Sequence, residues 1–471
     1  MEVLSKDFQT NVTMLNDILG VGRNYDITSR ELAVGGKHAH LYFLDGYGKD
    51  QVIERILAFI LTLTPQQLQP IQTMDEFASH FGTYGETVTE DQMEPLVTSL
   101  LLGKCVLLIE GMDKALLFDA KMYPMRGIEE PADGKVLRGS HDGFTEVVKK
   151  NSALIRRRIR DPKLVMENHR VGTRSKTDVV LCYLDDRVDR KALEQIRSRL
   201  DKIDVYSVSM GQESIAEAMH RPQWFNPFPR VRYTERPDAA AASIMEGSII
   251  LMVDNSSSAM ILPTSFFDFV QETNDYYFPP LVGTYLRFVR FFIFLSSLVI
   301  TPLWYLAMMH PEHIPTWLEF IGIEEPNGVP LLLQLLLLEL IVDLLKLASL
   351  NTPDVLSTSF SMLGALILGD FAVRANWLVP EVLVYIAFVA VANFAQPSFE
   401  LGYAFKLMRM LLLVLSALFS IWGFIGGLVF MGFLIATTEP LAGHYLYPVY
   451  PFNWKALKHL LFRQPINRDN T

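Results

Sequence analysis

The stretch LRFVRFFIFLSSLVITPLWYLAMM, Leu286–Met309, decides how the rest of the chain is read. It stays apolar over a length that, at 1.5 Å per residue, crosses a hydrocarbon core of roughly 30 Å. Arg287 and Arg290 stand at its start. The segment after it, His310–Gly328, holds Glu312, Glu319, Glu324 and Glu325 and no Lys or Arg. Positive charge collects on cytosolic flanks, so the start of the run is expected in the cytosol and the acidic loop outside. A buried helical hairpin of a large soluble protein is the competing reading. It is disfavoured because further apolar runs follow with little charge between them.

Those runs are Val329–Leu350, Leu356–Val373, Leu378–Phe394 and one long block, Leu401–Thr437. The block exceeds one upright crossing, and Trp422-Gly423-Phe424-Ile425-Gly426-Gly427 near its middle reads as a kink or turn. Alternating crossings put Lys346 inside, Arg374 outside, and Lys406 with Arg409 inside. Lys455, Lys458, Arg463 and Arg468 favour a cytosolic C-terminus, which needs an even number of crossings. Six crossings satisfy that, as do four plus a re-entrant pair; a single tilted last helix, giving five, ranks second.

The remainder of the 471 residues is different in kind. From Arg287 onward there are 10 Lys+Arg and 12 Asp+Glu; the whole chain has 42 and 52, so the preceding part holds 32 and 40. That part is ordinarily charged, and no export signal stands in Met1–Gly20, so it is expected to stay in the cytosol. Phe8–Leu19 reads as a short helix and Gly48–Leu68 has helical periodicity. KCVLLIEG and KALLFDAK, from Lys104 and Lys114, read as a hairpin turning at Gly111–Asp113, with a second turn signal at Asp133-Gly134. Gly143–Arg160 reads as a helix stopped by Asp161-Pro162. Lys176–Asp185 as strand, Asp189–Ile203 as amphipathic helix and DVYSV as strand suggest an α/β unit. Pro237–Gly247 reads as a helix, and Ser248–Asp254 with Ala259–Pro263 as a strand pair. The expected fold is thus a multi-domain membrane protein with a two-part cytosolic α/β (α+β) domain before a helical membrane domain. The expected divisions are residues 1–160, 161–280, 286–437 and a tail, 438–471.

Chemistry-bearing motifs are sparse. No dinucleotide, P-loop, zincin or nucleophile-elbow pattern occurs, so an enzyme is not expected. Gly139-Ser140-His141-Asp142 reads as a loop or cap, since adjacent side chains diverge. His38 with His40, and His310 with His313, read as incidental rather than metal-binding. Cys105 and Cys182 lie in apolar runs and read as buried thiols. A net charge of -10 gives no support to nucleic-acid binding.

The informative charges are those inside apolar runs, where a charge in lipid costs several kcal/mol and so faces protein or water. Glu339, Asp343 and Lys346 share one helix face. Glu339 and Asp343, repeated around an oligomer axis, would form acidic rings along an ion path; the bland alternative is ion-paired packing within one subunit. Lys346 would pair with Asp343 or snorkel. Asp370 and Arg374, four apart, read as an interfacial ion pair, with a gate as the alternative. In the soluble part, Arg156, Arg157, Arg158 and Arg160 read equally as a contact to anionic lipid or a neighbouring subunit and as a solvated helix face. Three consecutive arginines cannot share one face, so at least one is expected to pair within the protein.

Four segments carry a resemblance, in order along the chain. They are NSALIRRRIRDPKLVMENHRVGTRSKTDVVLCYLDD from Asn151, EGSIILMVDNSSSAMILPTSFFDFVQETNDYYFP from Glu246, RFVRFFIFL from Arg287, and GYAFKLMRMLLLVLS from Gly402. With them the whole chain resembles the A subunit of GerA-type spore germinant receptors of endospore-forming bacteria. The resemblance implies a multi-pass protein of the spore inner membrane, its N-terminal domain on the cytosolic (spore core) side. It implies a homo-oligomeric ring with a central path for monovalent cations, association with germinant receptor complexes, and no cofactor. The segment HLYFLDGYGKD from His40 points to a subgroup expected to pair with a small membrane protein and to amplify ion release. The family's short cytosolic motif falls on Gly172, Ser175, Lys176, Thr177 and Asp178, expected to be structural or inter-subunit. NSSSA after Val253-Asp254 replaces the usual proline-containing stretch. A non-conducting scaffold and a secondary transporter are the rival expectations.

Overall fold

The computed structural model describes residues 3–48, 50–82, 86–123, 140–220, 223–272, 275, 277–350 and 372–463. Helix α1 (Phe8–Leu19) starts where the Asp7 carboxylate accepts from the Thr10 N–H and stops at Gly20 in the left-handed region. Strands β1 (Ile27–Val34) and β2 (Lys37–Leu44) pair across Gly35-Gly36. Both glycines have positive φ, 52° and 82°, as the tightest hairpin turn demands. Helices α2 (Asp50–Leu61), α3 (Pro65–Leu68) and α4 (Met74–Phe81) follow, then β3 (Thr87–Glu90), α5 (Met93–Leu101), β4 (Cys105–Ile109) and β5 (Ala115–Phe118). The sheet runs β1-β2-β4-β5-β3, every neighbouring pair antiparallel. Alternating residues of β4 feed opposite cores: Val106 and Leu108 meet α1 and α5, while Leu107 and Ile109 meet α2 to α4.

The second unit repeats this order. It comprises α6 (Val148–Arg158), β6 (Leu164–Val171), β7 (Thr177–Leu184), α7 (Arg190–Asp201), α8 (Gln212–Met219), β8 (Arg232–Thr234), α9 (Pro237–Met245), β9 (Ile249–Val253) and β10 (Ala259–Leu262). Its sheet, β6-β7-β9-β10-β8, is the first sheet's order advanced by five strands, again antiparallel. Helices α6 and α9 cover one face, α7 and α8 the other. Two expectations change. Helix α6 packs its Val148, Leu154 and Ile155 on the second sheet, so the second unit begins before it rather than at Asp161-Pro162. DVYSV is not a strand; its carbonyls at Val205 and Tyr206 accept from Thr173 and Arg174 beside the β6–β7 turn. Both cysteines are buried, and burial pushes the Cys105 thiol up to about 12.

The helical region contains α10 (Pro280–Met309), α11 (Leu331–Leu350), α12 (Pro380–Phe394), α13 (Phe399–Thr437) and α14 (Trp454–Leu461). Among the described residues, α10 and α13 are long and apolar enough to cross a membrane. The third apolar run, except its last residues, lies outside the described residues, as do Asp370 and the Asp133-Gly134 turn. Helix α13 is broken at Ser420, φ 53° and ψ -137°, just before the expected Trp422–Gly427 turn. Its second arm folds back on the first, so that Gly427 packs against Leu412 and Leu415. Near its start, Phe405 lies 6.2 Å from the Phe228 ring; near its end, the carbonyl of Leu434 and the hydroxyl of Thr438 meet the Asn226 amide. Both ends therefore sit by the second sheet unit. The chain beyond confirms the return, because Leu441 and Ala442 are buried in that unit's own core.

Candidate functional site

The arginine helix resolves into separate jobs. Arg156 is 1% exposed and bidentate to Asp26, Nε at 2.8 Å and Nη2 at 3.1 Å, and its Nη1 donates to the Leu164 carbonyl. It fastens the first sheet unit to the second. Arg158 donates to Asp142 at 2.7 Å and to Ser140, so Ser140-His141-Asp142 is a loop anchor. Burial would raise the Asp142 carboxyl, but bonds from the Arg158 guanidinium and the Ser140 hydroxyl together hold it below the usual range. Arg157 lies over the Tyr123 ring at 5.0 Å, and it and Arg160 stay on the surface. A second network crosses the same joint: Arg23 reaches Tyr183 and Asp185, while Arg197 and Tyr183 hold Glu167. Burial would raise the Glu167 carboxyl, yet bonds from His169, Arg197 and Tyr183 hold it far below the usual range.

The motif Gly172, Ser175, Lys176, Thr177 and Asp178 builds the β6–β7 turn. Gly172 has φ +89° and a side chain there would run into the Ser175 hydroxyl. Ser175 Oγ accepts from Val208 N–H at 3.1 Å, and Lys176 N–H donates to Gly172. Thr177 is buried, and Asp178 accepts from Asn168 and Arg170.

Between the helices, one cluster gathers four charges from distant parts of the chain. Glu339 on α11 accepts from Arg409 Nε at 2.9 Å, and Lys406 Nζ lies 3.3 Å from its other oxygen. Lys406 also lies 2.5 Å from Asp343. Arg409 Nη1 donates to the Ser297 carbonyl of α10, so the cluster ties α10, α11 and α13 together. Glu339, Lys406 and Arg409 are sealed, with side chains 3%, 4% and 0% exposed, whereas Asp343 is 30% exposed. Lys346 sits against the Phe394 and Tyr403 rings, and Arg374 is on the surface. Sequence reading singled out both acids but took Lys406 and Arg409 only as topology markers. A cleft of ≈ 740 Å³ where the second sheet unit meets the start of α13, lined by Glu213, Glu217, His220, Arg230 and Glu400, had no sequence signal.

Against known proteins, the model of the Bacillus/Clostridium GerA spore germination protein family matches residues 13–471. The chain belongs to the GerA family. It is 36% identical to Stage V sporulation protein AF of Bacillus subtilis (strain 168), over 94% of this chain and 90% of that protein. It is 30% identical to Spore germination protein KA of the same organism, over 94% and 82%. Among solved structures it is similar to the N-terminal domain of the A subunit of the Bacillus megaterium spore germinant receptor GerK3, 26% identical, TM-score 0.44, covering 56% of this chain and 98% of that one. The GerA-family chain thus carries its charge cluster within a region that the family model spans throughout.

Proposed function

We propose that this GerA-family protein is a multi-pass protein of the spore inner membrane that releases monovalent cations during germination, working as a ring of identical subunits. The observation that carries the reading is the buried Glu339–Lys406–Arg409–Asp343 cluster. Ionisable groups at membrane depth are costly and are kept where ions or protons are handled. The two acids are held by two bases, and Asp343, the half-open member, is the group an ion would meet. Relatives named as spore germination proteins support a role in germination; the proposal adds a place in germinant receptor complexes and a small membrane protein as a further partner.

The same geometry supports a topology for this reading. Helix α10 and both arms of α13, roughly 45, 30 and 25 Å long, suit membrane crossings. The sheet units and the tail share one side, taken as the cytosol from Arg287, Arg290 and the basic tail. Six crossings are the count the sequence offers when its third apolar run is included by composition alone. The charge-neutral cluster, with Glu339, Lys406 and Arg409 sealed, also favours a second reading, a non-conducting scaffold. Planar-bilayer recording of the purified protein, alone and with its co-purified partner, separates the two. Cation currents whose reversal potential shifts in Asp343→Asn support the path; a conducting D343N channel with unchanged selectivity removes Asp343 from it, and silence from the complete complex favours the scaffold.

A further inference from the structure

Just beyond α10, on the side away from the sheet units, His310, Glu312 and His313 bring three metal-type ligand atoms within 4.8 Å of one another. Glu312 Oε1 lies 3.5 Å from Nδ1 of His310 and 3.3 Å from Nδ1 of His313. Ligands at about 2.0–2.1 Å around a tetrahedral zinc stand about 3.3 Å apart, so both edges already have a coordination spacing. The two rings meet edge-on, nearly perpendicular and 6.1 Å apart, an approach that leaves both Nδ1 atoms beside Glu312.

A second observation points the same way. Nε2 of His310 lies 2.9 Å from Ser420 Oγ. Ligating histidines characteristically hydrogen-bond through the nitrogen that does not bind metal, which fixes tautomer and ring orientation. With the Nε2 proton given to Ser420, the lone pair of Nδ1 faces Glu312. Ser420 is the residue whose non-helical backbone reverses α13, so the hairpin itself delivers this support. The sequence expectation that His310 and His313 are incidental changes once Glu312 and Ser420 are placed beside them.

We propose that Nδ1 of His310, Nδ1 of His313 and the Glu312 carboxylate bind a divalent transition metal of the zinc class. Two imidazoles with one carboxylate disfavour calcium and magnesium, which take oxygen ligands. The exposed face leaves the fourth position to water. Because Ser420 steadies a ligand, bound metal fastens the loop after α10 to the tip of the α13 hairpin, whether or not the protein conducts.

The test uses full-length protein in detergent, purified through a tag without histidine. Zn²⁺ alone is titrated by calorimetry, and Co²⁺ alone by its visible tetrahedral bands. One equivalent per chain is expected, weakened at least 100-fold in the double variant His310→Ala/His313→Ala. Glu312→Gln should also weaken binding, and Ser420→Ala by about 10- to 100-fold, the usual effect of removing such a supporting bond. Gel-filtration profiles matching the wild type confirm that each variant is folded. Stoichiometric binding that survives in the double variant, or no binding by folded wild type, overturns the proposal; unchanged affinity in Ser420→Ala overturns the link to the hairpin.

Discussion

Glu339→Gln is the most discriminating substitution. The cluster holds two acids and two bases and sums to zero; the variant leaves Asp343, Lys406 and Arg409 and sums to +1. Arg409 is wholly buried, so its guanidinium would keep only the neutral Gln oxygen and the Ser297 carbonyl. Removing one member of a buried pair costs about 3–5 kcal/mol, because the stranded charge has no water to return to. Asp343→Asn also sums to +1, but Asp343 is 30% exposed and makes one ion pair among the described residues, so about 1 kcal/mol or less is expected. At 2–4 °C per kcal/mol for a unit of about 150–250 residues, a loss of about 3 kcal/mol corresponds to about 6–12 °C. Gel filtration after heating, in detergent, reads the midpoint for each variant. Glu339→Gln/Arg409→Met restores neutrality with Asp343 and Lys406 remaining, and should recover much of the loss. The reasoning fails if D343N is as damaging as E339Q, or if the double variant is no more stable than E339Q alone.

Three further outcomes concern the sheet units. Asp26→Asn strands the buried Arg156 and should lower stability by about 3–5 kcal/mol, read as a fall in the denaturation midpoint of the full chain; an unchanged midpoint contradicts the joint described above. Gly172→Ala should cost roughly 1–2 kcal/mol for the left-handed backbone alone, and a neutral effect would mean the turn relaxes freely. Glu167 has a carboxyl held below its unfolded value, so its contribution is complete above the unfolded range, roughly pH 4.3, and is lost as pH falls through the lowered value. Glu167→Gln should therefore flatten the acid limb of melting temperature against pH; parallel acid limbs would place the acid sensitivity elsewhere.

What the sequence revealed depended on how local the signal was. Helix α1 and the β4–β5 hairpin were legible because caps, turns and alternation lie within a dozen residues of one another. The β1–β2 hairpin was not, because Arg30, Glu31, Lys37 and His38, spread over both faces, break the apolar alternation of Leu32, Val34, Ala39 and Leu41. The repeat of the two sheet units was hidden too, since topology conserves strand order and not residues. Within the helices, Lys346 was the natural partner for Asp343 by spacing alone. The partner found, Lys406, bonds the Glu339 carbonyl from 67 positions away, a separation no periodicity reports. The reversal of α13 was expected at its glycines, yet Ser420 takes the positive φ, uncommon for a residue with a side chain. Gly423 and Gly427 serve instead as the surfaces on which the two arms close.

That reversal determines what the sheet units can do to the charge cluster. A straight α13 would carry residues 438–463 to the far end of the helices. The hairpin returns them, and Leu441 and Ala442 enter the second sheet's core while the Tyr445 hydroxyl donates to the Pro229 carbonyl. Phe228, next to Pro229, meets Phe405 edge-on, and Phe405 lies 3.8 Å, ring centre to ring centre, from Phe294 of α10. The residue after Phe405 is Lys406, and three positions beyond Phe294 lies Ser297, whose carbonyl holds Arg409. The aromatic contact and the charge cluster thus share the same two helices, one turn apart. Closely packed interiors resist small gaps, because a gap of 0.5–1 Å already forfeits a quarter to a half of a contact's dispersion energy. Displacing the second sheet unit relative to the helices therefore strains the Phe228–Phe405–Phe294 contact, which lies one turn from the two bases that keep Glu339 and Asp343 neutralised.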